Sequence, residues 1–285
     1  MPSKQIFCFG MGFSARVLGN SLSEKGWVVS GTTRNGVGDT LIFDSSRPLP
    51  DPSSTLSNAS HILLSIPPNE EGDPVFNCHA SELASLSKLK WLGYLSTTGV
   101  YGDRKGGWVD EATPVAPTHR RGERRVLAER NWLNWAKKNN LPMHIFRLSG
   151  IYGPGRNALE NIRLGTARRI VKPGHVFSRI HVDDIAVVIE ASINRPNPGA
   201  IYNVCDDEPA SQSDVVEYSC KILGIKPPAL ISFEEAKKMM SPMALSFWED
   251  NRRVDNTKIK NNLGVSLLYP TYRAGLMAIL ENEIG

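Results

Sequence analysis

The sequence predicts an α/β fold: a doubly wound parallel sheet with helices on both faces, followed by a smaller, mostly helical lobe. Three observations predict it. Short apolar runs alternate with longer segments of helical spacing through the first half of the chain, a glycine turn separates the first run from the first helical segment, and helical patterns dominate after Gly155. Such alternation is what βαβ units leave in a sequence, since a parallel strand needs a crossover helix and is buried on both faces.

The runs predicted as strands are Ile6–Phe9, Trp27–Thr32, His61–Ile66, Trp91–Ser96, His144–Leu148 and Ile201–Val204. Between them Ser14–Lys25, Phe76–Leu86 and Arg121–Asn139 repeat apolar residues every three or four positions, the period of one helix face. Further helices are expected at Ser211–Leu223, Phe233–Met240, Asn256–Asn262 and Tyr272–Asn282, divided by turns containing Pro and Gly. Ile185–Ser192 and Ile201–Val204 read as elements that return to the first unit. The expected division is residues 1–155, with 179–205 returning to them, and a second lobe of 156–178 and 206–285.

Composition narrows the function. At 285 residues, 41% hydrophobic and 22% charged, this is an ordinary globular chain. It holds no run of 18 apolar residues, so no membrane partner is expected. The first apolar run starts at Ile6, leaving no room for a leader, and a cytoplasmic location is expected. Cys8, Cys78, Cys205 and Cys220 are scattered, with no CxxC pair or His/Cys cluster, which predicts reduced thiols and no metal site. Net charge is +4, and basic residues gather at His119–Arg125, Arg168–Arg169 and Arg252–Arg253. None of these clusters interleaves aromatic residues, so nucleic acid is not an expected partner. The expected partner is a small molecule, bound by a monomer or homodimer.

Gly10-Met-Gly12-Phe13-Ser14-Ala15 follows the first strand and opens a helix. This is the G-x-G-x-x-G/A dinucleotide fingerprint of a Rossmann domain. Gly10 permits the tight turn, Gly12 admits the pyrophosphate to the backbone, and Ala15 lets helix and strand pack closely. The helix N-terminus offers free N–H groups to the phosphates. An NAD-selective site would carry an acid about 20 residues on. Here the second strand ends Gly31-Thr32-Thr33-Arg34, with no acid before Asp39. Arg34 can pair with a 2′-phosphate and the threonine hydroxyls can donate to it, so NADP is the expected cofactor. Ser65-Ile66-Pro67-Pro68 is placed to brush the adenine ribose.

Three further motifs carry a family resemblance. Tyr94-Leu-Ser-Thr97-Thr98-Gly99-Val-Tyr101-Gly102, Arg147-Leu-Ser-Gly-Ile-Tyr152-Gly-Pro-Gly-Arg156 and Arg179-Ile-His181-Val-Asp-Asp184 stand in the order and spacing of extended short-chain dehydrogenases. With Tyr202-Asn-Val204 and Tyr269-Pro270, the chain resembles the epimerase/dehydratase family over its whole length, most closely its atypical, YeeZ-like branch. The resemblance implies that Thr97 bonds the reacting oxygen of the substrate, that Thr98 contacts substrate, and that Tyr152 lies at the nicotinamide end. Thr98 and Gly99 stand where sugar-nucleotide dehydratases carry an acid pair, which argues against 4,6-dehydration.

One departure bears on mechanism. The family's proton donor is a tyrosine in a YxxxK helix, yet no tyrosine lies between Tyr101 and Tyr152. Aligned on that helix, Arg121 stands at the tyrosine position and Arg125 at the lysine position. Arg125 can still bond ribose hydroxyls, whereas a guanidinium with a pKa above about 12 is no general acid. Tyr101, Tyr152 and His181 are the candidate replacements, His181 having the ordinary pKa suited to neutral pH. Arg121, Arg124 and Arg156 are expected to receive an anionic substrate. Two functions follow: an NADP(H)-dependent oxidoreductase or epimerase acting on a polar, phosphorylated or nucleotide-linked molecule, or a non-catalytic NADP(H)-sensing protein.

Overall fold

The computed structural model of the chain describes residues 4–284. The first half runs β1 (Gln5–Phe9), α1 (Phe13–Glu24), β2 (Val28–Thr33), β3 (Leu41–Ile42), α2 (Pro52–Leu56), β4 (His61–Leu64), α3 (Pro74–Ala84) and β5 (Trp91–Thr97). A 3₁₀ turn at Thr98–Tyr101 leads to β6 (Trp108–Val109), α4 (Arg120–Lys138), β7 (Met143–Leu148), β8 (Gly150–Tyr152) and α5 (Ala158–Arg163). There follow β9 (Arg169–Val171), β10 (Arg179–His181), α6 (Val182–Asn194), β11 (Ile201–Val204), α7 (Gln212–Leu223) and β12 (Leu230–Ser232). The chain closes with α8 (Phe233–Ala236), a 3₁₀ turn, α9 (Pro242–Glu249), β13 (Arg253–Val254), α10 (Thr257–Leu263) and α11 (Tyr272–Ile284).

Among the described residues, seven parallel strands form the main sheet in the order β11-β7-β5-β4-β1-β2-β3. The chain moves outward to β2 and β3 on one side of β1, then crosses to β4 on the other. That reversal makes the carboxyl ends of β1 and β4 the switch point where open α/β sheets bind ligands.

Alternation along β1 explains its apolar run. Ile6 and Cys8 join Leu18 and Leu22 of α1 and Ile185 and Ile189 of α6 on one face. Phe7 and Phe9 join Val75 and Leu83 of α3 and Trp132 of α4 on the other. With period-2 side chains and both faces covered, the four buried positions Ile6–Phe9 are all apolar. Burying each such side chain contributes about 1.5–3 kcal/mol. Burial also pushes the Cys8 thiol up to about 12, leaving it inert.

The sequence and the structure differ in instructive places. β4 stops at Leu64, two residues before the apolar run ends, since Pro67 and Pro68 restrict the residue before each and offer no N–H. The edge strand β3 has two residues, both exposed, too short to leave a pattern. The expected helix at Phe233–Met240 breaks after Ala236 into a 3₁₀ turn. α9 was not anticipated, although Ser241 caps it by accepting from Ala244 N at 3.2 Å and Pro242 stands in its first turn. The region expected to be mostly helical also holds the parallel pair β9–β12, and small pairs β8–β10 and β6–β13 lie outside the main sheet. β11 pairs with β7 at the sheet edge, and α6 packs on α1. No helix among the described residues is long and apolar enough to cross a membrane.

Candidate functional site

At the end of β1 the turn is built around Gly10, whose φ is +92°. A Cβ there would stand 2.8 Å from Ile66 Cγ1 and 2.9 Å from Ser65 Oγ, so glycine is required by both conformation and space. Gly10 N donates to Thr32 Oγ1 at 3.0 Å, Met11 N donates to Thr32 O at 2.7 Å, and the Ser65 hydroxyl donates to Gly10 O. Gly12 is different. Its φ of −82° suits any residue, and a Cβ there would meet nothing within 4 Å. It caps α1 without a side-chain bond, so the helix opens with unclaimed N–H groups beside empty space. Both features fit the pyrophosphate of a dinucleotide. Ser14 and Ala15 are buried behind this turn. Phe13 reaches the loop after β8, where a Cβ on Gly153 would lie 3.2 Å from its Cζ, and Arg156 sits 5.9 Å from the Phe13 ring.

Arg34, beyond the end of β2, is exposed, and its carbonyl accepts from Arg47 at 2.8 Å. Arg47 is itself held by Asp44. The threonine contacts expected here need correction. Thr33 Oγ1 bonds Thr40 Oγ1 at 2.8 Å and Val37 N at 3.1 Å, and Thr32 is fully buried, so both hydroxyls serve the protein's own backbone and loop. The Ser65 hydroxyl is likewise spent on the glycine turn, Ile66 packs over Gly10, and Pro67 and Pro68 line the neighbouring cleft.

That cleft, of about 520 Å³, opens at the carboxyl ends of β4, β5 and β7 against Val176–Arg179 and residues of the 246–254 segment. Thr97 ends β5, and its Oγ1 accepts from Gly99 N at 3.1 Å, which caps the 3₁₀ turn. α4 then packs tightly on that turn. A Cβ on Gly122 would lie 2.7 Å from Pro117 Cβ and 3.1 Å from Gly99 O, and this approach brings Arg121 and Arg125 to the cleft wall. Arg125 is rooted in the sheet, donating to Leu95 O at 2.6 Å and to the Tyr94 hydroxyl at 2.9 Å. Arg121 lies 5.3 Å from the Phe247 ring. Arg179 donates to Phe177 O and Ala210 O, each at 2.9 Å, and Arg252 donates to Gly102 O at 2.9 Å and Asp250 at 3.0 Å. His119, at the N-terminus of α4, completes this wall with Nε2 3.3 Å from Glu249. Among the described residues the lining therefore presents four guanidinium groups and one carboxylate, Asp250.

Several expected site residues lie elsewhere. Tyr101 is fully buried. Its hydroxyl donates to Asn203 Oδ1 at 2.7 Å and accepts from Arg147 at 2.9 Å, with Arg147 paired to buried Glu129, so the expected proton donor is a strut behind the cleft. His181 is also buried. Its Nδ1 accepts from Asp183 N at 3.2 Å, capping α6, and its ring packs 4.2 Å from Tyr269 and 5.1 Å from Tyr152. Burial holds it below the usual histidine range, and the role expected for it does not fit this position. The Tyr152 ring lines the cleft, but its hydroxyl is turned into the second lobe, where a Cβ on Gly275 would fall 2.1 Å away. Burial raises its pKa further, which leaves it a wall. Arg124 turns out of the cleft to an exposed pair with Glu70 at 2.8 Å. Thr97, Thr98, Arg121, Arg125 and Tyr152 do come together on one cleft. His119, Arg179 and Arg252 join them without having been singled out; the basic clusters around residues 119 and 252 were visible, but only the fold brings them together.

The sequence model of the NAD dependent epimerase/dehydratase family matches residues 77–205, which include β5, α4, β7 and β11. A functionally unknown conserved protein from Silicibacter pomeroyi DSS has a solved structure with TM-score 0.90 to this chain and 44% identity, covering 98% of this chain and 99% of that one. Residues 77–205 of this chain carry an NAD dependent epimerase/dehydratase family domain. Protein YeeZ of Escherichia coli (strain K12) is 27% identical over 94% of this chain and 97% of its own length. The dTDP-glucose 4,6-dehydratase of Bacillus anthracis str. Ames, solved in complex with NAD, shares the fold at TM-score 0.74 and 19% identity, covering 98% of this chain and 96% of that one. The family match over residues 77–205 and the open, uncapped turn at Gly12 together support a nicotinamide dinucleotide as cofactor.

Proposed function

We propose that this protein is an NADP(H)-dependent oxidoreductase or epimerase that acts on a small, polar, anionic molecule without a Tyr-Lys pair. The observation that carries this reading is the cleft beside the glycine turn, with Arg121, Arg125, Arg179 and Arg252 facing a single carboxylate. Such a surplus of guanidinium groups, Arg121 exposed and the other three half-buried, favours a ligand that brings its own negative charge. Arg34 supports the 2′-phosphate, since a guanidinium stands where NAD-selective sites carry an acid. When bound, the cofactor supplies hydride exchange at its nicotinamide ring. The chain's own residues do the rest: Thr97 and the arginines hold the substrate, and His119 moves the proton through an imidazole nitrogen.

A screen of NADPH oxidation over carbonyl compounds, with and without carboxylate or phosphate groups, tests the reading. Turnover confined to anionic compounds is expected, and turnover with neutral compounds alone would contradict it. The second reading, a non-catalytic NADP(H)-sensing protein, is favoured by arginines at positions 121 and 125 and by the burial of Tyr101 and His181. Tight NADPH binding with no turnover on any compound would select it.

A further inference from the structure

We propose that the cleft contains a built subsite for one oxyanion of the substrate, a carboxylate or phosphate oxygen, in the side-chain space that Gly99 leaves open between Thr97 and Arg252. The inference rests on the anion-accepting reading of the cleft and assigns one part of it to named donors.

A Cβ on Gly99 would stand 3.3 Å from Thr97 Oγ1, 3.4 Å from Thr97 Cγ2 and 4.0 Å from Arg252 Nη2, with no other neighbour inside that range. The empty position is therefore bounded by two polar groups. Thr97 Oγ1 accepts from Gly99 N, which leaves its own hydrogen free to donate into the space. Arg252 makes both of its bonds, to Gly102 O and to Asp250 Oδ2, through Nη1, which leaves the N–H groups of Nη2 directed elsewhere. Asp250 is fixed in turn by Thr118, whose hydroxyl donates to it at 2.5 Å. The guanidinium is thus held by one nitrogen, and its planar fork remains charged, since arginine does not lose its proton in proteins. Residues 99 and 252 are distant in sequence, and the juxtaposition depends on β13 lying beside β6. The Arg121 and Arg125 side chains approach from α4 and Arg179 from β10, so no second carboxylate among the lining residues opposes an anion there.

The test is calorimetric titration of inorganic phosphate into the full-length protein saturated with NADP, which occupies the dinucleotide phosphate sites. The wild type is expected to bind phosphate. R252Q removes a charge-assisted donor and is expected to weaken it about 10- to 150-fold. R252K is expected to fall between, keeping the charge and losing the fork. Gly99→Ala is the decisive variant: it leaves Arg252 and all its bonds in place, and its methyl group fills the space after a shift of a few tenths of an ångström by Thr97. It is expected to weaken phosphate by about tenfold or more with an unchanged melting temperature. If G99A and R252Q bind phosphate like the wild type while R121Q and R179Q do not, the subsite is overturned and the anion-accepting cleft stands. If the wild type itself does not bind phosphate, both fall.

Discussion

The two ends of the site were built by different rules. At the glycine turn, local backbone demands choose the residues: Gly10 has a positive φ and no space for a Cβ, and Gly12 has an ordinary φ with space only a ligand would use. Across the cleft, at α4 and the second lobe, long side chains from four separate segments meet, and the positions expected to hold a tyrosine and a lysine hold Arg121 and Arg125. The first end has the glycine turn and open helix start that suit a dinucleotide. The second gathers positive charge. Binding of the cofactor and the chemistry done on it can therefore be separated by substitution.

The largest effect should come from Gly12→Val. The extended backbone accepts the side chain and the protein offers it no clash, so the fold should persist while the pyrophosphate is blocked. Titration calorimetry should show NADPH affinity reduced by about a hundredfold or more, each tenfold being about 1.4 kcal/mol. Normal binding would mean that the turn faces something other than a cofactor.

On the other side of the comparison, His119→Asn should lower turnover by about 10²–10⁴-fold with NADPH affinity unchanged, the range for a general acid or base. His181→Asn should instead cost stability, since its ring caps α6 and fills the space between Tyr152 and Tyr269. A pH profile of turnover that loses a limb in the His181 variant and keeps it in the His119 variant would reverse the assignment.

Tyr101→Phe should likewise read out in stability. It strips a donor from Asn203 and leaves the buried Arg147 with one bond fewer, a cost of about 1–3 kcal/mol in denaturant unfolding. Turnover per folded molecule should hold.

The smallest effects are those of pH on the folded state. Burial pushes the Asp206 carboxyl from 3.8 up to about 8. The folded state thus holds a proton that the unfolded state has released, and stability falls as pH rises between those values. Asp206→Asn should remove that slope, so the melting temperatures of variant and wild type should separate progressively from about pH 4 to about pH 8. Buried His61, His144 and His175 are each lowered from 6.5 to about 4 and act in the opposite direction, destabilising the fold as pH falls through that range. Parallel melting curves for wild type and D206N across the whole interval would contradict the first assignment.

What could be read from the chain follows the same division. Gly10 to Ala15 and the main strands were legible because a turn, a helix start and period-2 burial are local properties. Arg34 was legible as a residue type at a strand end, whereas the fate of the Thr33 hydroxyl was not, because Thr40 lies on a returning loop. Tyr101 and His181 stood in the expected motifs, but their orientation was set by Asn203, Arg147 and the start of α6. Arg179, Arg252 and His119 belong to segments whose meeting depends on small strand pairs outside the main sheet, and strands of two or three residues leave no periodicity.

The central claim, that the glycine turn and Arg34 together select NADP(H), is tested most directly by measuring equilibrium affinities of the wild type and Arg34→Ala for NADPH and NADH. A charge-assisted bond contributes about 1.5–3 kcal/mol. The account predicts that the wild type prefers NADPH by about tenfold or more, and that Arg34→Ala weakens NADPH about 10- to 150-fold while leaving NADH nearly unchanged. Equal wild-type affinity for the two cofactors, or an Arg34→Ala variant that loses both alike, would contradict it.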